Sequence, residues 1–323
     1  MVKSLSFMTP PEHAQPLVGI ALKVASTLAF TAMATLIKLA SARYPIGELV
    51  FFRSFFALIP VFIWVIWRGQ WPSVFHTKIF PRHVMRSITG GATMFLGFTA
   101  LSLLPIADAT AIGYAAPLLT VILAVIFLGE KVRVYRWSAV VVGLIGVMVI
   151  VSDYVGPQAE PGATERSAVG AIVAISAAFL AAATSTQVRA IVHNESAGTI
   201  VVYFSLFTSF FGLVTLPFGW LVPDPIDLLF MVAAGIFGGL GQVLLTQSFR
   251  YGGAGMIAPF DYTSMIWALI VSWLVFATWP TDRMLIGTAI VIGAGLFVIF
   301  RERRLGIERS RSKRAQTPTT PLN

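Results

Sequence analysis

TGGATMFLGFTAL at residues 89–101 and FGGLGQVLLTQSF at residues 237–249 are two versions of one pattern. A shift of 148 places Gly90 and Gly91 on Gly238 and Gly239, and the same shift carried forward without a gap sets Tyr114 on Tyr262. Upstream, a shift of 151 sets Val18 and Gly19 on Val169 and Gly170, Lys38 on Arg189, and Gly47 on Gly198. The chain is an internal duplication.

The duplicated unit is built for a bilayer. Hydrophobic residues make up 57% of the chain, charged residues 11%, and mean hydropathy is +0.83, whereas charged residues alone approach about a quarter of a soluble domain. A spanning helix needs about 20 apolar residues, and ten runs approach that length: 17–40, 46–66, 84–104, 106–128, 137–152, 167–188, 198–221, 228–249, 255–277 and 284–300. The expected fold is an all-α integral membrane protein with ten transmembrane helices. Five spans per copy is an odd number, so the second copy inserts upside down. Two inverted five-helix repeats around a central cavity are an arrangement common among secondary transporters.

The basic residues set the orientation. With the N-terminus inside, the cytoplasmic segments hold Lys3; Arg68, Lys78, Arg82 and Arg86; Lys131, Arg133 and Arg136; Arg189; Arg250; and the tail cations from Arg301 to Arg314. The outer segments hold Arg43, Arg166 and Arg283 together with the acids Asp153, Glu160, Glu165, Asp224 and Asp227. This is the positive-inside pattern, with both termini cytoplasmic in a cell (inner) membrane. The net charge of +9 needs no nucleic-acid partner. The chain divides into a cytoplasmic N-terminal segment (1–16), a first repeat (17–152), an extracytoplasmic linker rich in Pro, Gly and acids (153–166), a second repeat (167–300) and a basic tail (301–323). The tail reads as disordered, or as a patch for anionic lipid headgroups. Residues 1–16 lack the apolar run of a cleaved signal, and the first span reads as a signal anchor.

Enzyme chemistry finds no support. There is no cysteine, no H-E-x-x-H and no G-x-S-x-G, and His13, His76, His83 and His193 fall at or beyond the cytoplasmic interface without metal-ligand spacing. No metal and no cofactor is expected.

One stretch resembles a known family. ALSLLPIADATAIGYAAPLLTVILAVIFLGEKV (100–132), with its small-residue entry, Pro117 and closing L-G-E, is similar to the signature of the drug/metabolite exporter family built on the EamA domain, in the drug/metabolite transporter superfamily. PIGELVFFRSFFALIP (45–60) and SFRYGGAGMIAPFDYTSMIWA (248–268) fit the same family, and the likeness covers residues 17–300. It implies a secondary, non-ATP carrier working by alternating access on a small polar or amphipathic metabolite, such as an amino acid or S-adenosylmethionine. A lipid-carrier flippase and a multidrug efflux carrier are the alternatives, and a non-transporting scaffold or sensor is a different class. Substrate identity, transport direction, proton coupling and the choice between monomer and homodimer stay open. The second copy departs from the pattern at Phe276–Trp279, where Thr278 stands in place of Glu130.

Buried charge is where function shows in a membrane chain, because each such charge is costly. Counting about 1.5 Å per residue from span midpoints, Lys23 and Asp261 lie roughly 7 to 8 Å on the cytoplasmic side of centre. They are candidates for an ion pair, and Asp261 is the default proton carrier. By the same count Lys38, Glu48 and Asp108 lie about 13 to 14 Å toward the outside, as interface charges, with Asp108 able to cap its helix. Arg53, about 6 Å outside the centre, has no acid at its depth. Either it meets a substrate carboxylate through its bidentate fork, or it bonds backbone carbonyls or an outer acid such as Glu48 or Asp108.

Other polar groups are candidates for the cavity wall. Tyr114 and Tyr262 are expected on opposite sides of the midplane, as ligand contacts or packing aromatics. Lys23, Thr27, Thr31, Thr35 and Lys38 share one helical face, and Gln242 with Thr246 forms a shorter stripe opposite. Pro117 and Pro259 open their helices or merely kink them. The small residues Gly90, Thr93 and Gly97, and Gly235, Gly239 and Gly241, read as close-packing faces.

Overall fold

The computed structural model describes residues 15–128, 132–155, 165–191, 195–251 and 254–315. Among them regular structure is helical throughout, as a bilayer demands when every backbone N–H and C=O must be paired within its own segment. The helices are α1 (Pro16–Ala40), α2 (Ile46–Trp67), α3 (Phe80–Leu103), α4 (Ile106–Gly113), α5 (Ala115–Leu128), α6 (Val134–Val151), α7 (Glu165–Ile191), α8 (Ala197–Leu213), α9 (Pro225–Tyr251), α10 (Ala254–Ile257), α11 (Thr263–Leu274) and α12 (Asp282–Ala315). Seven segments have the length and apolarity to cross a membrane: α1, α2, residues 106–126, α6, and stretches of α7, α9 and α12. The third helix and the segments Ala197–Leu213 and Thr263–Leu274 do not meet both measures.

Turn chemistry explains where the observed helices depart from the expected spans. Helix α8 stops at Leu213 instead of running to 221, since a 3₁₀ turn over Leu216–Phe218 leads into Gly219 at φ 93°, a conformation glycine adopts without a Cβ penalty. Helix α11 ends at Leu274, with Ala277 at φ 49° and Thr278 donating from its amide (2.9 Å) and hydroxyl (3.1 Å) to the Ser272 carbonyl. The fourth span of each copy is broken at its tyrosine. Tyr114 separates α4 from α5, and a 3₁₀ stretch at Ala258–Tyr262 separates α10 from α11. Pro117 and Pro259 supply no amide at these breaks. The tail also differs from expectation: the helix that begins at Asp282 continues through Ala315, so the described part of 301–323 is helical and not disordered. Residues 1–14, most of the linker (156–164), Glu130 of the L-G-E motif, His193 and residues 316–323 lie outside the described residues.

The two copies pack across each other. Helices α1 and α2 lie on α9, α3 and α5 lie on α7, α2 on α8, and α6 on α12. The pairs α1·α9, α3·α7, α2·α8 and α6·α12 run antiparallel, whereas α2 and α9 run parallel, with Phe52 and Phe56 at Gly235 and Ala57 and Pro60 at Gly239. Along α1 and α9, Tyr44 meets Asp227 while Phe30 meets Gly241; along α3 and α7, Thr89 meets Gln187 while Leu103 meets Gly170. Exchanging the copies maps contacts onto contacts. Gly238 of α9 faces Met33 and Arg53, and its repeat mate Gly90 of α3 faces their mates Thr184 and Phe204.

Close approach comes from missing Cβ atoms, because lipid gives apolar helices no hydrophobic reason to associate. A Cβ on Gly239 would sit 2.5 Å from the Ala57 carbonyl oxygen and 2.5 Å from Pro60 Cγ. On Gly287 it would sit 2.5 Å from the Gly146 oxygen, so α6 and α12 touch backbone to backbone. Gly90, Gly235 and Gly241 also face neighbouring side chains or backbone as expected, but a Cβ on Gly97 would meet nothing within 4 Å. Gly97, half-buried, therefore makes no close approach: open space lies where its side chain would be.

Candidate functional site

Two buried arginines lie on the neighbouring helices α2 and α3, Arg53 against α1 and α9 and Arg86 against α8. Arg53 is 4% exposed; its Nε donates to Met33 Sδ (3.4 Å) and faces Gly238, while its Nη1 has no partner. The expected alternative, in which Arg53 bonds an outer acid, is not what the side chain does. Glu48 Oε2 accepts from the Leu221 amide (3.2 Å), and Asp108 bonds Tyr154. The room for Arg53 comes from Gly238, where a side chain would collide with its Nε and with Met33 Sδ.

The second arginine was not legible as a site residue. Arg86 counts with the cytoplasmic cations in the sequence, yet it is 9% exposed and its Cζ lies 4.1 Å from the centroid of the Phe204 ring. This cation–π contact leaves Arg86 Nε and Nη1 unpartnered. Neither arginine forms an ion pair with a described residue, and they are close enough for their charges to interact. An uncompensated buried charge costs several kcal/mol, so the pair is a region of stored positive potential. The adjacent Ser54 and Ser87 are fully buried with unpartnered hydroxyls, and Ser205, Thr208 and Ser209 of α8 are buried too. In the expected span 84–104 Arg86 stands only two residues past the start, whereas α3 begins at Phe80 and places it six residues in.

The other candidates occupy separate places. Lys23 (3% exposed) pairs with Asp261, whose side chain is 55% exposed. Asp261, in the 3₁₀ stretch, is thus a half-open partner and not a deeply buried carboxylate. Thr31 and Thr35 do lie on an inward stripe, but each hydroxyl donates to the carbonyl four residues earlier, at 3.0 and 2.8 Å. Thr27 donates to the Val24 carbonyl (2.8 Å) and also reaches α11, 2.9 Å from the Thr263 hydroxyl. Gln242 is half-buried and its carbonyl accepts from the Thr246 hydroxyl (2.8 Å).

Tyr114 and Tyr262 are not separated as expected. Their rings meet edge to face with centroids 5.1 Å apart, and the Tyr114 hydroxyl lies 2.7 Å from Ser264 Oγ. Repeat mates that touch each other sit on the exchange axis between the copies, and that is the physical reason they share one depth.

Two of the expected interface charges are enclosed by protein. Glu48 is 0% exposed and Asp108 5%, and Asp108 does not cap α4, which has no side-chain cap. Lys38 donates to the Leu101 and Leu104 carbonyls at 2.8 and 2.7 Å, closing the end of α3, and lines a recess of about 250 Å³ with Leu39, Ser41, Ala42, Ser102 and Phe276. This recess lies apart from Arg53.

Polar ties hold both ends of the bundle. At one end Arg43 meets Asp224 (3.1 Å) and Asp227 (3.0 Å), whose charges raise its pKa, and Asp153 holds Arg283 and Thr281. At the other, Arg136 pairs with Glu302, Thr77 donates to Glu195 (2.6 Å), and His83 stands 3.8 Å from Glu195. His83 is 0% exposed, enclosed by protein at this end of the bundle. No cluster that could hold a metal occurs among the described residues.

A helical chain with several long apolar spans, two packed copies and a sparse set of buried charges at their crossing is a multi-pass membrane transporter, not an enzyme. It belongs to the EamA-like transporter family, which matches residues 17–152 and again 168–301. Residues 95–218 also match solute carrier family 35. The chain is 28% identical to an S-adenosylmethionine uptake transporter of Rickettsia bellii over 89% of its length and 95% of the relative's. It is 27% identical to the pseudopaline exporter CntI of Pseudomonas aeruginosa, over 85% of this chain and 94% of the relative. A crystal structure at 19% identity shares the fold with a TM-score of 0.64, covering 89% of this chain and 98% of that one. The transported species is a small molecule.

Proposed function

We propose that the protein is a secondary carrier for a small carboxylate-bearing metabolite, an amino acid or S-adenosylmethionine-like compound, that works by alternating access without ATP. Its ten spans form two inverted five-helix halves in a cell inner membrane, with both termini cytoplasmic and a central cavity that opens to either side in turn. The observation that carries this reading is Arg53: a guanidinium held 4% exposed where the halves pack, with a free donor and no acid paired to it among the described residues. Antiparallel pairing of mate helices supports inversion, since copies exchanged about an axis across the helices point opposite ways in a membrane. The relatives named for uptake and for export support a carrier and leave direction to the cell's gradients.

The ion pair of Lys23 with Asp261 favours facilitated transport or exchange over proton antiport, because a paired carboxylate releases no proton through the cycle. The test is uptake by proteoliposomes of radiolabelled amino acids and S-adenosylmethionine, with and without a pH gradient. A transported carboxylate whose affinity is unchanged in Arg53→Ala refutes the role of Arg53. Acceleration by an opposing pH gradient refutes uncoupled transport.

A further inference from the structure

The geometry points to a two-carboxylate receptor: Arg53 holds one carboxylate of the cargo and Arg86 a second, so the favoured substrate is a dicarboxylate and not a compound with a single acid group. This rests on the reading of Arg53 as a carboxylate ligand. The two guanidiniums come from neighbouring helices, α2 and α3, and both are more than nine-tenths buried. Arg86 is held with its Cζ over the Phe204 ring, 4.1 Å from the centroid, a contact that uses none of its hydrogen-bond donors. Two of those donors, Nε and Nη1, have no partner, and Arg53 adds Nη1. A guanidinium presents its donors as a planar fork that matches the two oxygens of a carboxylate. Two forks on separate helices match two such groups at separate points of one molecule.

Charge balance leads to the same cargo. Among the described residues neither arginine is paired, and Glu195, the acid of this region, is engaged by Thr77 and His83. A monocarboxylate bound there leaves one buried cation uncompensated. A dicarboxylate neutralises both. Phe204 also explains why the arrangement is asymmetric: it is the repeat mate of Arg53, and in the second copy's position it serves as the platform for Arg86 instead of carrying a third charge.

The experiment is calorimetric binding to the detergent-purified full chain, using glutamate, glutamine and glycerol phosphate as probes, in wild type, Arg53→Gln and Arg86→Gln. Glutamate and glutamine differ in little but the second carboxylate. Wild type is expected to bind glutamate at least tenfold more tightly than glutamine, and Arg86→Gln to lose about 10- to 100-fold toward glutamate while changing glutamine less than threefold. Arg53→Gln weakens both. Arg86→Lys keeps the charge without the fork and is expected to fall between; it replaces Arg86→Gln if that variant does not purify as a folded monodisperse protein. Equal affinity for glutamate and glutamine, or an unchanged preference in the Arg86 variants, overturns the inference. Tighter binding of glycerol phosphate than of glutamate overturns the dicarboxylate assignment. If Arg53→Gln abolishes glutamine binding while the Arg86 variants leave the preference intact, the role of Arg53 stands and this inference alone fails; if no arginine variant changes any affinity, both fail.

Discussion

Gly97 and Gly239 each lie inside a long helix, yet the same substitution at the two sites is expected to act with opposite sign. At Gly239 an added Cβ falls 2.5 Å from the Ala57 carbonyl oxygen and from Pro60 Cγ, and 3.0 Å from Ala57 Cα. Ordinary contact begins at 3.4 Å, so α9 must move away from α2 by roughly 0.9 Å at this point, and backbone atoms cannot swing aside as a side-chain tip does. Overpacking of this size costs about 1–3 kcal/mol. At Gly97 nothing lies within 4 Å, and Ala is a better helix former than Gly by up to about 1 kcal/mol. In thermal melts of purified protein in one detergent, Gly239→Ala should lower the midpoint by several degrees and Gly97→Ala should hold or raise it. Transport should fall in Gly239→Ala, because α2 and α9 belong to different copies and must slide in contact during the cycle. Equal melting of the two variants, or a Gly239→Ala midpoint at or above wild type, refutes the close-approach argument.

The Lys23–Asp261 pair offers a second test. Asp261→Asn leaves a 3% exposed Lys23 without its acid and should destabilise by about 1–3 kcal/mol, solvent at the half-open Asp261 softening the loss; Lys23→Met/Asp261→Asn together should recover most of it in the same melts. At the start of α8, Ser196 Oγ accepts from the Thr199 amide at 3.1 Å, so Ser196→Ala should cost about 1 kcal/mol, measured as a lowered midpoint with unchanged transport affinity.

Much of the architecture was legible in the chain because bilayer physics leaves few choices. Apolar runs, loop cations and a duplicated glycine pattern located the helices of both copies to within a few residues for most spans. Errors arose at the turns, where a single glycine or proline decides: Gly219 ends α8 early, and Pro117 and Pro259 accompany breaks at Tyr114 and Tyr262. Arg53 and the Lys23–Asp261 pair could be found from depth along a helix, since a rise of about 1.5 Å per residue converts position into depth. Arg86, His83 and Glu48 could not, because depth says nothing of azimuth. A cation one and a half turns into a span looks like an interface residue until the helices beside it are known.

By itself, then, the sequence determined the helical membrane class, the duplication, the family and the few residues that carry charge into the bilayer, all properties that depend on composition and local period. The tertiary structure alone decided which charges meet. It packed α2 and α3 on α8, set Phe204 against Arg86, closed Asp261 onto Lys23, and joined Tyr114 to Tyr262 on the axis between the copies. Those contacts span tens to hundreds of residues, and they depend on helix rotation and crossing, which small residues such as Gly238 and Gly239 permit but no local pattern specifies.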